Sequence, residues 1–256
     1  MKADRQNAHP ALVLFALAMG GFAIGTTEFA TMSLLPFFAP DLGVSEATAG
    51  HVISVYALGV VIGAPILAVS GARIPRHRLL IGLMLLFGLG NALSALAPDY
   101  PTMLAFRFLA GFPHGAYFGV AALMAASLVS RHRRAQAMSL VMLGLTISTV
   151  TGVPVVNALC QIFGWRWGFA LVALLALVTA ILVFLFAPRQ PVPEGVGPLA
   201  ELSALKNGKI WLTLGIGAVG FGGYSPATRI SRPPCFLSRK CPLPPFRRCL
   251  RSLASG

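Results

Sequence analysis

Residues 11–37 read ALVLFALAMGGFAIGTTEFATMSLLPF, a long apolar run broken by one charge, Glu28. Crossing a bilayer as a helix takes about 20 apolar residues, so this stretch suffices for a membrane span. It is too long for the apolar core of a cleaved leader. Further runs of the same kind stand at 48–71, 78–97, 101–125, 137–160 and 167–187, giving six expected spans. A weaker seventh begins at Lys209 and loses its apolar character near Tyr224. Gly and Pro inside these runs do not argue against helices, because neighbouring helices satisfy the backbone groups they free. Composition agrees: the chain is 56% hydrophobic and 11% charged, against roughly 45–50% and 25% in soluble domains.

The net charge of +13 speaks for topology rather than for a polyanion partner, and no nucleic acid is expected. Residues 1–224 hold 13 Lys/Arg against 7 Asp/Glu, while 225–256 add 7 Lys/Arg and no acid. Lys2 and Arg5 precede the first span; Arg73, Arg76 and Arg78 lie between the second and third; Arg131, Arg133 and Arg134 between the fourth and fifth; Arg189, Lys206 and Lys209 follow the sixth. The alternate loops hold Arg166 alone among basic residues, with Asp41, Glu46 and Asp99. Short loops rich in Lys and Arg stay on the cytoplasmic side, so residues 1–10 are expected in the cytoplasm.

The spans group as six (11–187), then a polar linker at 188–208, then the incomplete seventh at 209–224. Such a bundle and linker is how a transporter built of two six-helix halves begins. A six-span scaffold or membrane enzyme with a cytoplasmic tail shares the pattern, but no loop exceeds the linker in length, which leaves no room for a soluble catalytic domain. No zinc, nucleotide or nucleophile-elbow motif occurs in the loops, so an enzyme is not expected. Chemistry falls to the charges inside the spans.

Glu28 is the first of these. An ionisable group within a span is costly and faces a protein interior or a water-filled cavity. Its helical face includes Gly21, Ile24, Gly25 and Met32, and the Gly21/Gly25 pair admits a close helix neighbour. Two readings stand: a carboxyl that binds and releases a proton or contacts a cationic substrate, and a fixed partner for a buried arginine. Arg107 is that arginine. It lies roughly 9 Å from the outer end of span four and Glu28 roughly 13 Å from the outer end of span one, at 1.5 Å per residue. The two can pair if those spans touch. Gly111, His114 and Phe118 share the face of Arg107. His114 reads either as a proton relay or as a neutral, hydrogen-bonded packing residue. In span five, Gly144, Gly152 and Pro154 mark a kink or a close packing surface. Arg73, Arg76 and Arg78 satisfy the topology rule by themselves and are candidates for a cytoplasmic gating loop.

The ordered set of Gly25-Thr-Thr-Glu-Phe29, Tyr56-Ala-Leu-Gly59 with Gly63-Ala-Pro65, Arg73-Ile-Pro-Arg76-His-Arg78, Arg107-Phe-Leu-Ala-Gly111 with His114 and Gly119, Gly152-Val-Pro154 and Gly164-Trp-Arg166 resembles the amino-terminal half of a major facilitator superfamily transporter. The closer likeness is to the bacterial twelve-span drug:proton antiporters, the arabinose-efflux-permease-like and purine-efflux-like proteins. It covers about residues 8–223. The resemblance implies an all-α integral membrane protein of the inner membrane, a six-helix N-terminal bundle plus an incomplete seventh helix. It implies alternating access, with small organic molecules such as drugs, sugars or purines exported against proton entry; the gradient is the energy source and no cofactor is needed. Arg107 falls on the family's buried fourth-span arginine, and Gly152 and Pro154 on its fifth-span antiporter motif. Ala72 and Pro75 replace an Asp and a Gly usual in the second-to-third loop, and Val156 replaces a Gly of the antiporter motif.

After Tyr224 the character changes. Residues 225–256 hold six Pro, seven Lys/Arg and three of the four Cys. Cys235, Cys241 and Cys249, spaced by six and eight without a nearby His, fit no common zinc pattern. The change inside a span is expected of a chain truncated by a shifted reading frame, with the tail in the cytoplasm. The nucleotide sequence after codon 223 tests this. Expected partners are a small-molecule substrate, membrane lipid, and either a second copy or a missing C-terminal half. The competing expectation is a non-transporting remnant or a six-span regulatory membrane protein.

Overall fold

The computed structural model describes residues 9–190 and the isolated helical positions Gly208, Leu212, Gly215 and Ile216. The chain divides into two units, Met1–Leu202 and Ser203–Gly256. The rest of the expected seventh span and all of the tail at 225–256 lie outside the described residues, as does most of the linker.

The described residues of the first unit form helices joined by short turns, with no strand among them, and six helical stretches are long and apolar enough to cross a membrane. Span one is α1 (Pro10–Asp41). Span two is the short α2 (Glu46–Ala49) running into α3 (His51–Gly71), and span three is α4 (Arg76–Ala95). Span four is α5 (Tyr100–Gly111) followed by α6 (His114–Ser127). Span five runs from a 3-10 turn at Arg131–Arg133 through α7 (Arg134–Ile147), a π-helical turn at Ser148–Gly152 and α8 (Val153–Phe163). Span six is α9 (Trp165–Phe186).

Local chemistry sets these limits. α1 passes through Pro36 and Pro40 and stops only where Gly43 takes φ +66. There the amides of Gly43 and Val44 donate to the Pro40 and Ala39 carbonyls, the bond pair of a Schellman cap. Ser45 caps α2 by accepting from the Thr48 amide at 3.1 Å, and Asp99 caps α5 by accepting from the Thr102 amide at 2.9 Å. Span four is not the continuous helix its apolar run implies: Pro113 has no amide hydrogen, and α5 gives way to α6 there. In span five, where a kink or a close packing surface is expected, a π-helical turn ends at Gly152, two residues before Pro154.

Buried apolar side chains form two clusters. One gathers Leu17, Ile24, Leu80, Phe87, Tyr117, Met124 and Val183; the other gathers Leu34, Phe38, Val52, Met103, Val156 and Phe169. The buried polar residues Thr27, Asn91 and Arg107 belong to neither. On α1 the clusters take residues 13–24 and 30–39; on span three, 80–87 and 95–97; on span four, 116–125 and 103. The polar residues therefore occupy a belt between two apolar layers. Large apolar side chains such as Leu58, Val61, Leu174, Ile181 and Phe184 are exposed, as suits helices bathed in lipid, where close packing rather than water exclusion drives association.

Two glycine seams provide that packing. An added methyl at Gly144 would overlap the Ala18 carbonyl, and one at Gly25 would meet Ser148 Oγ and Leu145. The close neighbour admitted by Gly21 and Gly25 is thus span five. Gly59 and Gly111 likewise bring spans two and four together, each against a carbonyl of the other, Phe108 and Tyr56. Val156, despite its bulk, is accommodated where Gly168 of α9 offers room.

Candidate functional site

Arg107 sits in α5, 1% exposed. Its Nη1 donates to Asn91 Oδ1 of α4 at 3.1 Å and lies 3.3 Å from Thr27 Oγ1 of α1. The Thr27 hydroxyl donates to the same Asn91 oxygen at 2.9 Å, and Asn91 Nδ2 donates to the Phe87 carbonyl at 2.9 Å, which fixes the amide's orientation. The guanidinium lies 4.5 Å from the ring centre of Tyr56 and 5.1 Å from that of Phe169. Both distances are within cation–π range. Arg107 Nε has no hydrogen-bond partner among the described residues.

Tyr56 extends the site. Its hydroxyl is 2.9 Å from His114 Nδ1, and the His114 ring packs against Phe118 with centres 5.4 Å apart. The structure thus brings Arg107 and His114 together through the two sides of one tyrosine, its face and its hydroxyl.

Glu28 is placed differently from the expected pair. It is half-buried, and neither a hydrogen bond nor an ion pair joins it to Arg107. Successive helix residues point about 100° apart, at 3.6 per turn. Thr27 takes the position facing Arg107, and Glu28 turns aside from it. Among the described residues the ion pair formed is instead Arg166–Asp41, at 3.1 Å on the rim.

The other expected residues fall in two places. Gly144 and Gly152 line the seam of span five with span one, with Thr26 Oγ1 and Phe22 against Gly152, while Pro154 opens α8 just after the π turn. Ser148 and Thr151 donate to their own backbone, to the Leu145 and Ile147 carbonyls. Arg73, Arg76 and Arg78 stand around the start of span three. Arg73 and Arg78 are exposed, and Arg76 donates to Gln190 Oε1 at 3.4 Å. Outside the spans, the Thr102 amide and then its hydroxyl hold the Asp99 carboxyl below the usual carboxylate range.

Sequence reasoning gave no role to Thr27, Asn91, Tyr56 or Phe169. Asn91 had a usable signal, an amide amid the apolar run at 78–97. Phe169 had none, since an aromatic in an apolar span is unexceptional.

Six helices long and apolar enough to span a membrane, packed through glycine seams around a buried polar belt, are the architecture of a polytopic membrane protein. The chain belongs to the Major Facilitator Superfamily, whose family model matches residues 17–231. It is 39% identical over 209 residues to the inner membrane transport protein YdhP of Escherichia coli K12, covering 82% of this chain and 54% of that protein. It is 36% identical to the putative transporter AraJ of the same organism, again with 82% and 54% covered. It is 35% identical to a chloramphenicol resistance protein of Streptomyces lividans, with 81% and 54% covered. The fold matches the inward-open xylose transporter XylE of E. coli at a TM-score of 0.56 and 17% identity, over 71% of this chain and 49% of that one. The chain spans about half the length of the curated relatives it matches.

Proposed function

We propose that this chain forms one wall of a proton-coupled exporter of small organic molecules in a bacterial inner membrane, with its N-terminus in the cytoplasm. The observation that carries the reading is Arg107, buried with no carboxylate partner among the described residues beside a span that carries one. Arginine keeps its proton in proteins. A cation buried between neutral amide, hydroxyl and aromatic groups therefore favours any negative charge that forms nearby. Glu28, adjacent in sequence to Thr27, is the group able to supply it. With a proton bound, Glu28 leaves Arg107 to Thr27, Asn91 and the two rings; on release, its charge is drawn toward the guanidinium. Tyr56 lies between Arg107 and His114 and is the element through which protonation on span one can reach span four.

Membership of the family and the names of its relatives support transport, and the likeness to a chloramphenicol resistance protein supports a drug-like substrate. The basic groups Arg73, Arg76 and Arg78 belong in this reading to a gate at the cytoplasmic end, and the Gly144, Gly152 and Pro154 seam lets span five move against span one. A cavity between two halves needs a second wall, from a second copy or a complementary six-span half.

The test is proton-driven export in vesicles that contain this chain with a complementary half. Glu28→Gln, at unchanged expression, abolishes the dependence of export on the proton gradient; wild-type coupling in that variant removes Glu28 from the mechanism. The competing reading is a non-transporting or regulatory six-span membrane protein. Proteoliposomes holding the chain together with a complementary half separate the two: export supports the first, none the second.

A further inference from the structure

At the end of the bundle where the second-to-third loop meets the exit of span six, a pocket of about 330 Å³ is lined by His77, Arg78, Ile81, Phe184 and Arg189. Three of the five side chains are basic or can become so, and no carboxylate among the described residues is within 4.0 Å of Arg78 or Arg189. The pocket stands at the N-terminus of α4, whose first turn contains no acidic residue and begins Arg76-His77-Arg78. That end of a helix carries partial positive charge and favours anions over cations. Cations have thus been gathered where the backbone itself repels them.

Two further observations show that the arrangement is built. The segment after span six is tied back: Gln190 donates to Ser127 Oγ at 2.8 Å and accepts from Arg76 Nη1 at 3.4 Å, which holds neighbouring Arg189 over the pocket. His77 Nδ1 is buried with no hydrogen-bond partner among the described residues. A buried polar atom left unpaired is costly, so His77 is held beside the pocket at a cost to stability. The remaining lining, Ile81 and the lipid-exposed Phe184, is apolar. A cationic mouth beside an apolar, lipid-facing wall suits an amphipathic ligand.

We propose that this pocket binds a phosphate ester, and that the headgroup of an anionic phospholipid fills it, its phosphate between Arg78 and Arg189 and its acyl chains along Phe184. This assignment depends on the membrane fold and not on the transport mechanism.

The test uses the full chain in nanodiscs of phosphatidylglycerol or of phosphatidylcholine, and in detergent with inorganic phosphate. Phosphatidylglycerol is expected to slow amide exchange at 76–79 relative to phosphatidylcholine and to be retained in native mass spectra about thirtyfold more, in line with the attraction of two basic residues to anionic lipid. Arg78→Gln with Arg189→Gln removes that preference; Arg78→Lys with Arg189→Lys keeps it, as does Arg131→Gln with Arg133→Gln, which lowers the same face's charge elsewhere. Protection by inorganic phosphate alone, without a lipid preference, keeps the anion site and assigns it to free phosphate. No preference in the unaltered chain together with no phosphate protection overturns the site, as does equal loss in the Arg131/Arg133 control.

Discussion

Arg166 lies on the rim of the bundle with its side chain 46% exposed, stacked 4.3 Å from the Trp165 ring centre and paired with Asp41 at 3.1 Å. Arg107 lies inside, 1% exposed, stacked 4.5 Å from the Tyr56 ring centre and hydrogen-bonded to Asn91 and Thr27. Both guanidiniums use an aromatic face, but among the described residues only the one that water can reach is paired with a carboxylate. At the rim, Asp41 also accepts from Trp165 Nε1 at 2.9 Å, so the arginine joins a scaffold that closes the loop ends. Exposed pairs of this kind contribute roughly 0–1 kcal/mol. Inside, a cation without a counter-ion opposes folding, and its presence there points to a role other than stability.

The largest departure between the two sites is expected from methionine at each. Arg107→Met reduces proton-driven export by the assembled transporter to background while leaving thermal stability unchanged or higher, since apolar replacement of a buried charge is often neutral or stabilising. Arg166→Met leaves export intact. Export surviving Arg107→Met would erase the distinction. Next in size is Tyr56→Leu, which takes away the ring beneath Arg107 and the His114 hydrogen bond together. A desolvated cation–π contact contributes about 2 kcal/mol, so a stability loss of that order is expected in thermal unfolding, with Tyr56→Phe keeping most of it. Arg166→Gln should cost no more than about 1 kcal/mol, and the difference from wild type should shrink in high salt. The smallest effect concerns Asp99, whose loop reaches Arg166 through the Ala97 carbonyl. Its carboxyl titrates below the usual range because it accepts from Thr102. The capping contribution is present at neutral pH and is lost as pH falls through that lowered value, seen as reduced exchange protection of the Thr102 amide in acid.

The spans were legible because twenty-odd apolar residues in a row have few other uses, and Gly21, Gly25 and Gly144 were legible because small residues at membrane helix contacts have a steric reason. Depth was legible too: counting residues placed Glu28 and Arg107 at similar levels. Rotation was not. Which of Thr27 and Glu28 meets Arg107 depends on how α1 turns against its neighbours, and the seam of Gly25 with Ser148 sets that turn through contacts more than a hundred residues apart. The break at Pro113 could have been anticipated from its missing amide hydrogen. Asn91 and Phe169 reach Arg107 only through tertiary packing.

The central claim is that Glu28 and Arg107 act as one unit although neither a hydrogen bond nor an ion pair joins them in this structure. A double-variant cycle on proton-driven export by the assembled transporter tests it most directly, using the milder substitutions Glu28→Asp and Arg107→Lys, which leave export measurable, and both together. The account predicts that the double variant exports no less than the more impaired single variant. Losses that multiply, each substitution acting in full on the background of the other, would contradict it.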